Sequence, residues 1–219
     1  MTVQKDLLGY WPLNTDDFKC VTPFTLDATS TGGSPTQITG KAGNGYNFTG
    51  SEHLETTDDV NVLALQEHTV MVWIRPDNVN PSTPQIIISR MSDLDTGGYE
   101  FSVRDGGIAY AYNDGSIQGW FEETNTPLNV DQWYHVGYNW SPSRGTVRFF
   151  IDGTMTQEVS TPSNNINHVQ GDEFFIANQP DNDKFDGDID DVRIYRGVQG
   201  ESVFDRVRQQ RVGLRVRQA

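Results

Sequence analysis

The feature that most constrains the fold is the regular spacing of short apolar and aromatic segments along the chain. About a dozen of them follow one another at intervals of roughly 8–12 residues, separated by Gly, Pro, Asn, Asp and Ser. The clearest is HTVMVWIRP at residues 68–76, which is apolar on both faces and predicts a central strand. Asp105-Gly106 and Asp152-Gly153 predict hairpin turns. The pattern therefore predicts an all-β fold, a two-sheet antiparallel β-sandwich or jelly roll, with a short helix over residues 201–210.

Length and cysteine content agree with a single sandwich. The 219 residues contain no internal repeat and no linker, so we expect one domain over residues 1–205 and a basic tail over residues 206–219. Cys20 is the only cysteine, which excludes a disulfide within the chain. The first residues lack the apolar stretch of a signal peptide, and no apolar run approaches membrane-spanning length. We therefore expect no signal peptide in the chain as given and no membrane insertion.

The net charge of −14 argues against nucleic acid as a partner, because phosphates would be repelled. A strongly acidic, lysine-poor surface is also typical of proteins from high-salt environments, where screening removes self-repulsion. The tail contrasts with this charge, since it carries five arginines and no acidic residue. One interpretation is a solvated terminus. The alternative is an arm that docks on an acidic neighbour, either another virion or surface protein or a copy of the same chain in a homo-oligomer.

A dense group of aspartates lies beside a strand-like segment near the end of the chain, in FDGDIDDVRIYRG at residues 185–197. Asp disfavours strands and favours turns, so four aspartates next to Ile189, Val192 and Ile194 need a reason. One reason is a hard cation, which binds several oxygen ligands at once. The alternative is a solvated acidic turn.

Five stretches in order resemble the laminin-G-like, concanavalin A-like lectin/glucanase superfamily. They are LLGYWPLN, GKAGNGYNFTG, HTVMVWIRP, WYHVGYNWSPSRGTVRFFIDG and FDGDIDDVRIYRG, with ESVFDRVRQ in place of the closing helix. The resemblance implies a jelly roll with adjacent first and last strands, a concave face, and binding of glycans or proteins without catalysis. It also implies one Ca²⁺ ion, held where Asp190 or Asp191 meets an early loop carboxylate, for which Asp27 is the candidate.

Catalysis is not expected. Superfamily members that hydrolyse glycosides carry Glu-x-Asp-x-x-Glu or a variant on one strand, which places both carboxylates on one face. This sequence has no such motif, and Glu122 and Glu123 would point to opposite faces of a strand. The four histidines show no metal-ligand spacing.

A glycan site needs an exposed aromatic ring and nearby polar groups. The candidates on one hairpin and on the loop before the closing strand are Tyr112, Asn113, Asp114, Trp120, Phe121, Asn178 and Asp181. For Trp120 and Phe121 the alternative is a place in the sandwich core.

Together these patterns predict a non-catalytic module that binds carbohydrate or a cell-surface glycan. The acidic surface and basic tail extend this to a hypothesis, a virion surface or fibre component, or another extracellular protein, from a high-salt system. The rival is a purely structural capsid or appendage protein that makes only protein contacts, and a glycoside hydrolase is the third alternative.

Overall fold

The predicted strands pair into two antiparallel sheets that pack face to face. A computed structural model describes residues 6–56, 60–91, 96–116, 118–162, 164–179 and 184–210. In chain order the strands within these ranges are β1 (Leu7–Trp11), β2 (Thr29–Thr31), β3 (Thr36–Thr39), β4 (Asn44–Thr49), β5 (His53–Thr56), β6 (His68–Pro76), β7 (Gln85–Arg90), β8 (Gly98–Arg104), β9 (Gly107–Asn113), β10 (Gln118–Glu122), β11 (Tyr134–Ser141), β12 (Thr146–Ile151), β13 (Thr154–Ser160), β14 (Phe174–Ile176) and β15 (Asp186–Arg196). The predicted two-sheet antiparallel sandwich is confirmed.

The described strands form one sheet of eight and one of seven. The eight-stranded sheet has the order β13-β12-β11-β6-β15-β4-β3, with β1 also paired to β15. The seven-stranded sheet has the order β10-β9-β8-β7-β14-β5-β2. The first and last strands are adjacent, as the family resemblance implied. The short strands β2 and β3 lie in or just beyond a stretch that the sequence marks only as turn-rich, because neither has a run of apolar residues.

The core lies between the sheets and is largely aromatic. Alternate residues of the central strand β6, including Val70, Val72 and Ile74, face it and are fully buried. Trp11 of the eight-stranded sheet stacks on Phe174 of the seven-stranded sheet with ring centroids 5.0 Å apart. Because successive side chains of a strand point to opposite faces, one side chain in two lies between the sheets.

The hairpin predicted at Asp105-Gly106 joins β8 to β9. Both turn residues have positive φ, 48° and 85°, as a two-residue turn with the right-handed strand twist requires.

Helix α1 (Glu201–Gln209) packs against the outer face of the eight-stranded sheet. Phe204 stacks on Phe150 with centroids 3.8 Å apart, and Met71, Tyr195 and Val207 complete this second apolar cluster. The predicted boundary between sandwich and tail, at residue 205, lies inside this helix, while residues 211–219 of the tail lie outside the described residues. Among the described residues, no helix is long and apolar enough to span a membrane.

Candidate functional site

The acidic residues of the closing strand lie at an irregularity in the eight-stranded sheet. One edge of β15 pairs with β4 through residues 186–189 and with β1 through residues 192–195, so a gap remains between β4 and β1. The pairing of β15 with β6 shifts register between Asp190 and Arg193, and Asp191 has a φ of 54°. This bulge adds one residue at the gap, where the two carboxylates lie.

Asp190 binds the backbone of an early loop. Its Oδ2 accepts the N–H groups of Lys41 and Ala42, both at 2.7 Å, and the residue is fully buried. Burial raises the pKa of the Asp190 carboxyl to about 7, against the two backbone hydrogen bonds that lower it. A Cβ at Gly40 would lie 2.4 Å from Oδ2, so the loop approaches this closely only with glycine there. Asp190 therefore closes the gap between β4 and β1.

Asp191 and Asp188 each pair with an arginine. The Arg193 guanidinium donates to both oxygens of Asp191, at 2.5 and 3.0 Å, and the Tyr10 hydroxyl donates to Oδ2 at 3.1 Å. Asp188 pairs with Arg75 and is also fully buried. Three of the four aspartates are thus buried and bound by protein donors, in contrast to the solvated acidic turn that was one interpretation of the sequence.

Asp27 lies on the surface with partners of its own. It pairs with Lys19 at 2.5 Å and accepts the Cys20 N–H at 3.0 Å, and the hydrogen bond from Lys19 lowers its pKa. No group of three His, Cys, Asp or Glu side chains able to hold a metal occurs in the described ranges. A Ca²⁺ ion needs six or more converging oxygens, so Asp27, Asp190 and Asp191 do not fit one. Bound calcium remains a prediction without an assigned site.

The outer face of the seven-stranded sheet carries Trp120, one of the predicted ligand-binding residues. Strand register places five residues of neighbouring strands side by side across this face: Trp120, Ala111, Glu100, Ser89 and Phe175. Their chain neighbours, including Tyr110 and Phe101, face the core instead. At a strand spacing of about 4.8 Å, the row from Trp120 to Ser89 spans roughly 14 Å.

The middle of this row consists of small or polar side chains that solvent does not reach. Ala111 and Ser89 of the row, and Ala109 and Ser102 beside it, are all fully buried. Asn178 packs at the far end, where the Ser89 hydroxyl donates to its carbonyl at 2.8 Å. Within the described residues its side-chain oxygen is buried without a hydrogen-bond partner.

Trp120 occupies the edge of this face on β10, the edge strand of the sheet, and is partly exposed. The Arg104 guanidinium lies over its ring, 4.8 Å from the centroid. Arg104 Nε is also 3.3 Å from the carboxylates of both Glu122 and Asp105. The arrangement combines a held indole ring with a guanidinium and two carboxylates at the surface.

The predicted ligand-binding residues separate into two groups by strand alternation. Tyr112 is 2% exposed, and its ring stacks on Phe121 at 5.8 Å and contacts Trp140 at 4.5 Å. Both rings pack on the core side of the sheet, so contact of Tyr112 and Phe121 with a ligand remains a prediction without support from this packing. Trp120, next to Phe121, points to the opposite face.

Asn113 and Asp114 stabilise a turn. Asn113 Oδ1 accepts the Gly115 N–H at 2.6 Å, and Asp114 Oδ1 accepts the Ser116 N–H at 2.9 Å. Asp114 Oδ2 accepts the Asn164 amide at 2.6 Å. Both side chains therefore tie loops together, while the predicted Asp181 lies outside the described residues.

Arg104 is the residue that sequence reasoning missed. It precedes the Asp105-Gly106 turn, and counting back from that turn places Arg104, Ser102 and Glu100 on one face. The hairpin signal was therefore sufficient to find the face on which Arg104 lies. It did not give the distance of Arg104 from Trp120, which depends on the pairing of β10 with β9.

Comparison with known proteins identifies the fold independently. A laminin-G family model, described as the concanavalin A-like lectin/glucanases superfamily, matches residues 47–201. A search of curated proteins gives no match.

Solved structures of similar shape come from several bacterial proteins. Domain 4 of AbnA, an extracellular GH43 arabinanase from Geobacillus stearothermophilus solved with arabinotriose, has a TM-score of 0.75 and 20% identity, covering 93% of this chain and 98% of that one. The binding domain of Paraclostridial Mosquitocidal Protein 1 has a TM-score of 0.72 and 14% identity, covering 93% and 52%. A botulinum neurotoxin type C structure, from work on cell entry through two ganglioside molecules, has a TM-score of 0.67 and 9% identity, covering 93% and 50%. The chain thus spans about half of the two toxin chains, and at these identities the likeness shows the fold alone.

Proposed function

This chain belongs to the concanavalin A-like lectin/glucanases superfamily, and we propose that it acts as a non-catalytic module that binds carbohydrate. The observation that carries the proposal is the position of Trp120, which stands on the outer face of the seven-stranded sheet under the Arg104 guanidinium. On the other sheet, α1 packs against Met71, Phe150 and Tyr195 of the outer face. We therefore place the ligand at the Trp120 end of the seven-stranded sheet.

The side chains of the Trp120 edge, which are Trp120, Arg104 and Glu122, suit the binding of a sugar. An indole ring stacks on the apolar face of a pyranose or furanose, while guanidinium and carboxylate groups exchange hydrogen bonds with its hydroxyls. Arg104 and Glu122 hold each other and the ring in place before a ligand arrives, which lowers the entropy lost on binding.

Two structural neighbours support the ligand class. The arabinanase domain was solved with arabinotriose, and the type C neurotoxin is described as entering cells through gangliosides. Both ligands are carbohydrates or carry them. Fold likeness does not transfer a ligand by itself, so the proposal depends on Trp120.

The test is a glycan array followed by calorimetric titration of the strongest hit. Trp120→Leu should weaken binding by roughly tenfold or more, or about 1.4 kcal/mol, because the stacking surface is lost. Phe121→Leu is the matched control, since it changes the next residue of the same strand on the core side. It should lower the melting temperature and leave affinity within about twofold. Equal affinity of wild type and Trp120→Leu would contradict the proposal.

The absence of catalysis is part of the proposal. Glu122 pairs with Arg104, and Glu123 accepts the backbone N–H groups of Asn125 and Thr126 at 3.1 and 3.2 Å. The two carboxylates are bound to different protein groups, and they do not form the pair on either side of a scissile bond that glycoside hydrolysis needs. A reducing-sugar assay on the array hits should detect no product, and release of sugar would overturn this part.

The purely structural alternative is kept because β10 is also an edge strand that another chain could contact. It would be favoured if no glycan bound and the protein assembled with itself. The virion or extracellular setting and the docking role of the tail are likewise proposals, supported by the net charge of −14 and the arginine-rich end of the chain. Removing residues 211–219 should weaken assembly if the tail docks, and unchanged assembly would contradict that role.

A further inference from the structure

A surface cleft lies at the opposite sheet, away from Trp120. It has a volume of about 350 Å³ and opens where the first loop meets the edge strand β3 and its neighbour β4. Its lining residues are Asp16, Phe18, Ser34, Pro35, Gln37 and Tyr46. A second cleft of about 410 Å³ near residues 61–67 has no aromatic side chain in its lining. Only the first therefore combines aromatic and polar groups.

The floor of this cleft is a pair of aromatic rings. Tyr46 is 2% exposed, and the partly exposed Phe18 meets it edge to face with centroids 5.0 Å apart. Phe18 has a φ of 45°, which is strained for a bulky side chain. Its carbonyl accepts the Ala28 N–H at 3.2 Å, which helps to hold this conformation. The loop thus presents a ring to the cleft at a cost in backbone energy.

The polar wall is held in place by hydrogen bonds inside the cleft. Asp16 Oδ1 accepts the Tyr46 hydroxyl at 2.5 Å and the Gln37 amide at 3.4 Å. Burial, with the Asp16 hydrogen bond, raises the pKa of Tyr46 to about 12, so the phenol stays a donor to Asp16. Within the described part of the chain, Asp16 Oδ2 and Gln37 Oε1 accept no hydrogen bond, and both residues line the cleft together with Ser34. The cleft therefore offers mainly acceptors beside an aromatic ring.

The charge of the cleft restricts the class of ligand that it can bind. None of its described lining residues is positively charged. The nearby Lys19 ammonium pairs with Asp27 at 2.5 Å, so it is not free to offset the charge of Asp16. An anionic sugar would meet uncompensated negative charge, whereas hydroxyl and ammonium groups would supply the donors that the cleft lacks.

We infer that this cleft is a second carbohydrate site, which takes a neutral or amine-bearing pyranose and rejects a uronic or sialic acid. Phe18 supplies the stacking ring, and Asp16 and Gln37 accept hydrogen bonds from the ligand. The site rests on the proposed function for its class of ligand but shares no residue with the Trp120 edge. Two sites on different sheets would let one chain bridge two glycans.

The test is an NMR titration of ¹⁵N-labelled protein with methyl β-glucopyranoside, glucosamine and glucuronate at pH 6.5. Amide shifts should appear around residues 14–18 and 34–37, with glucosamine binding most tightly and glucuronate at least about tenfold more weakly. Asp16→Asn should remove the preference for glucosamine, and Phe18→Leu should weaken all three sugars. Asp17→Asn and Phe24→Leu are the matched controls, because neither residue lines the cleft, and both should bind within about twofold of wild type.

The two sites can fail separately. Trp120→Leu should leave the cleft shifts unchanged. Absence of shifts around the cleft, equal binding of glucuronate, or equal effects of Asp16→Asn and Asp17→Asn would overturn the second site while leaving the Trp120 site intact. Loss of the Trp120 effect with cleft shifts preserved would overturn only the first.

Discussion

The carboxylate of Asp190 accepts the backbone N–H of Ala42 at 2.7 Å, so the last strand fixes a loop that precedes it by 148 positions. The same oxygen accepts the Lys41 N–H. Asp190 thus holds this loop in place at the gap between β4 and β1.

Asp190→Ala should destabilise the fold by about 2–4 kcal/mol, because two buried N–H groups lose an acceptor and a void replaces the carboxylate. Urea unfolding followed by tryptophan fluorescence measures the change. Asp186→Ala, a partly exposed aspartate of the same strand, is the control and should cost less than about 1 kcal/mol. A loss of unfolding free energy in Asp190→Ala no larger than in the control would contradict this role of Asp190.

Asp190 should also leave a signature in the pH dependence of stability. Burial raises its folded-state pKa from an ordinary value of 3.8 to about 7. Between these values the folded protein binds the proton more tightly than the unfolded chain, so this stabilising contribution is complete below about pH 4, declines as pH rises, and is lost above about pH 7. The stability difference between wild type and Asp190→Asn should therefore fall between pH 4 and 7.5. A difference that stays constant or grows would contradict the shift.

Calcium should not stabilise the protein through Asp27, Asp190 or Asp191, because protein donors already bind all three. Any difference between melting curves in millimolar Ca²⁺ and in EGTA, at constant ionic strength, should therefore be the same in wild type and in Asp190→Ala. A ligand that binds only the folded state raises the midpoint by mass action. A calcium-dependent rise that Asp190→Ala abolishes would restore the sequence-based prediction.

Arg104→Gln should weaken glycan binding by a few fold to about tenfold, because the guanidinium that holds Trp120 and donates to a ligand is lost. Arg148→Gln is a close control. Arg148 pairs with Glu158 on the other sheet, and its side chain is 34% exposed, as is that of Arg104. Titration calorimetry should find that only the Arg104 change alters affinity, and equal affinities would argue against this edge.

Salt should raise the melting temperature, because the acidic groups that give the net charge of −14 repel one another less when salt screens them. The screening length falls from about 30 Å at 0.01 M to about 3 Å at 1 M ionic strength. We expect a rise of several degrees in NaCl over this range, whereas equal midpoints would count against a high-salt origin.

The sequence by itself determined the sandwich. Strand period, Asp-Gly turns and the apolar run of β6 are local signals, and they were sufficient to predict the antiparallel fold, the hairpins and the terminal helix. The family motifs added the adjacency of the first and last strands. The strands, turns and helix depend on residues that are neighbours in the chain, which is why they can be predicted without a structure.

Only the tertiary structure decided what the candidate residues do. The sequence singled out Asp190 as a calcium ligand, whereas its partners in the structure are backbone N–H groups of a distant loop, and Asp191 accepts the Tyr10 hydroxyl across the sheet. Trp120 and Phe121 are both large aromatics, and a register shift of one residue would exchange their faces. Their roles were therefore set by the pairing of β10 with β9 and by the topology that brings separate segments together.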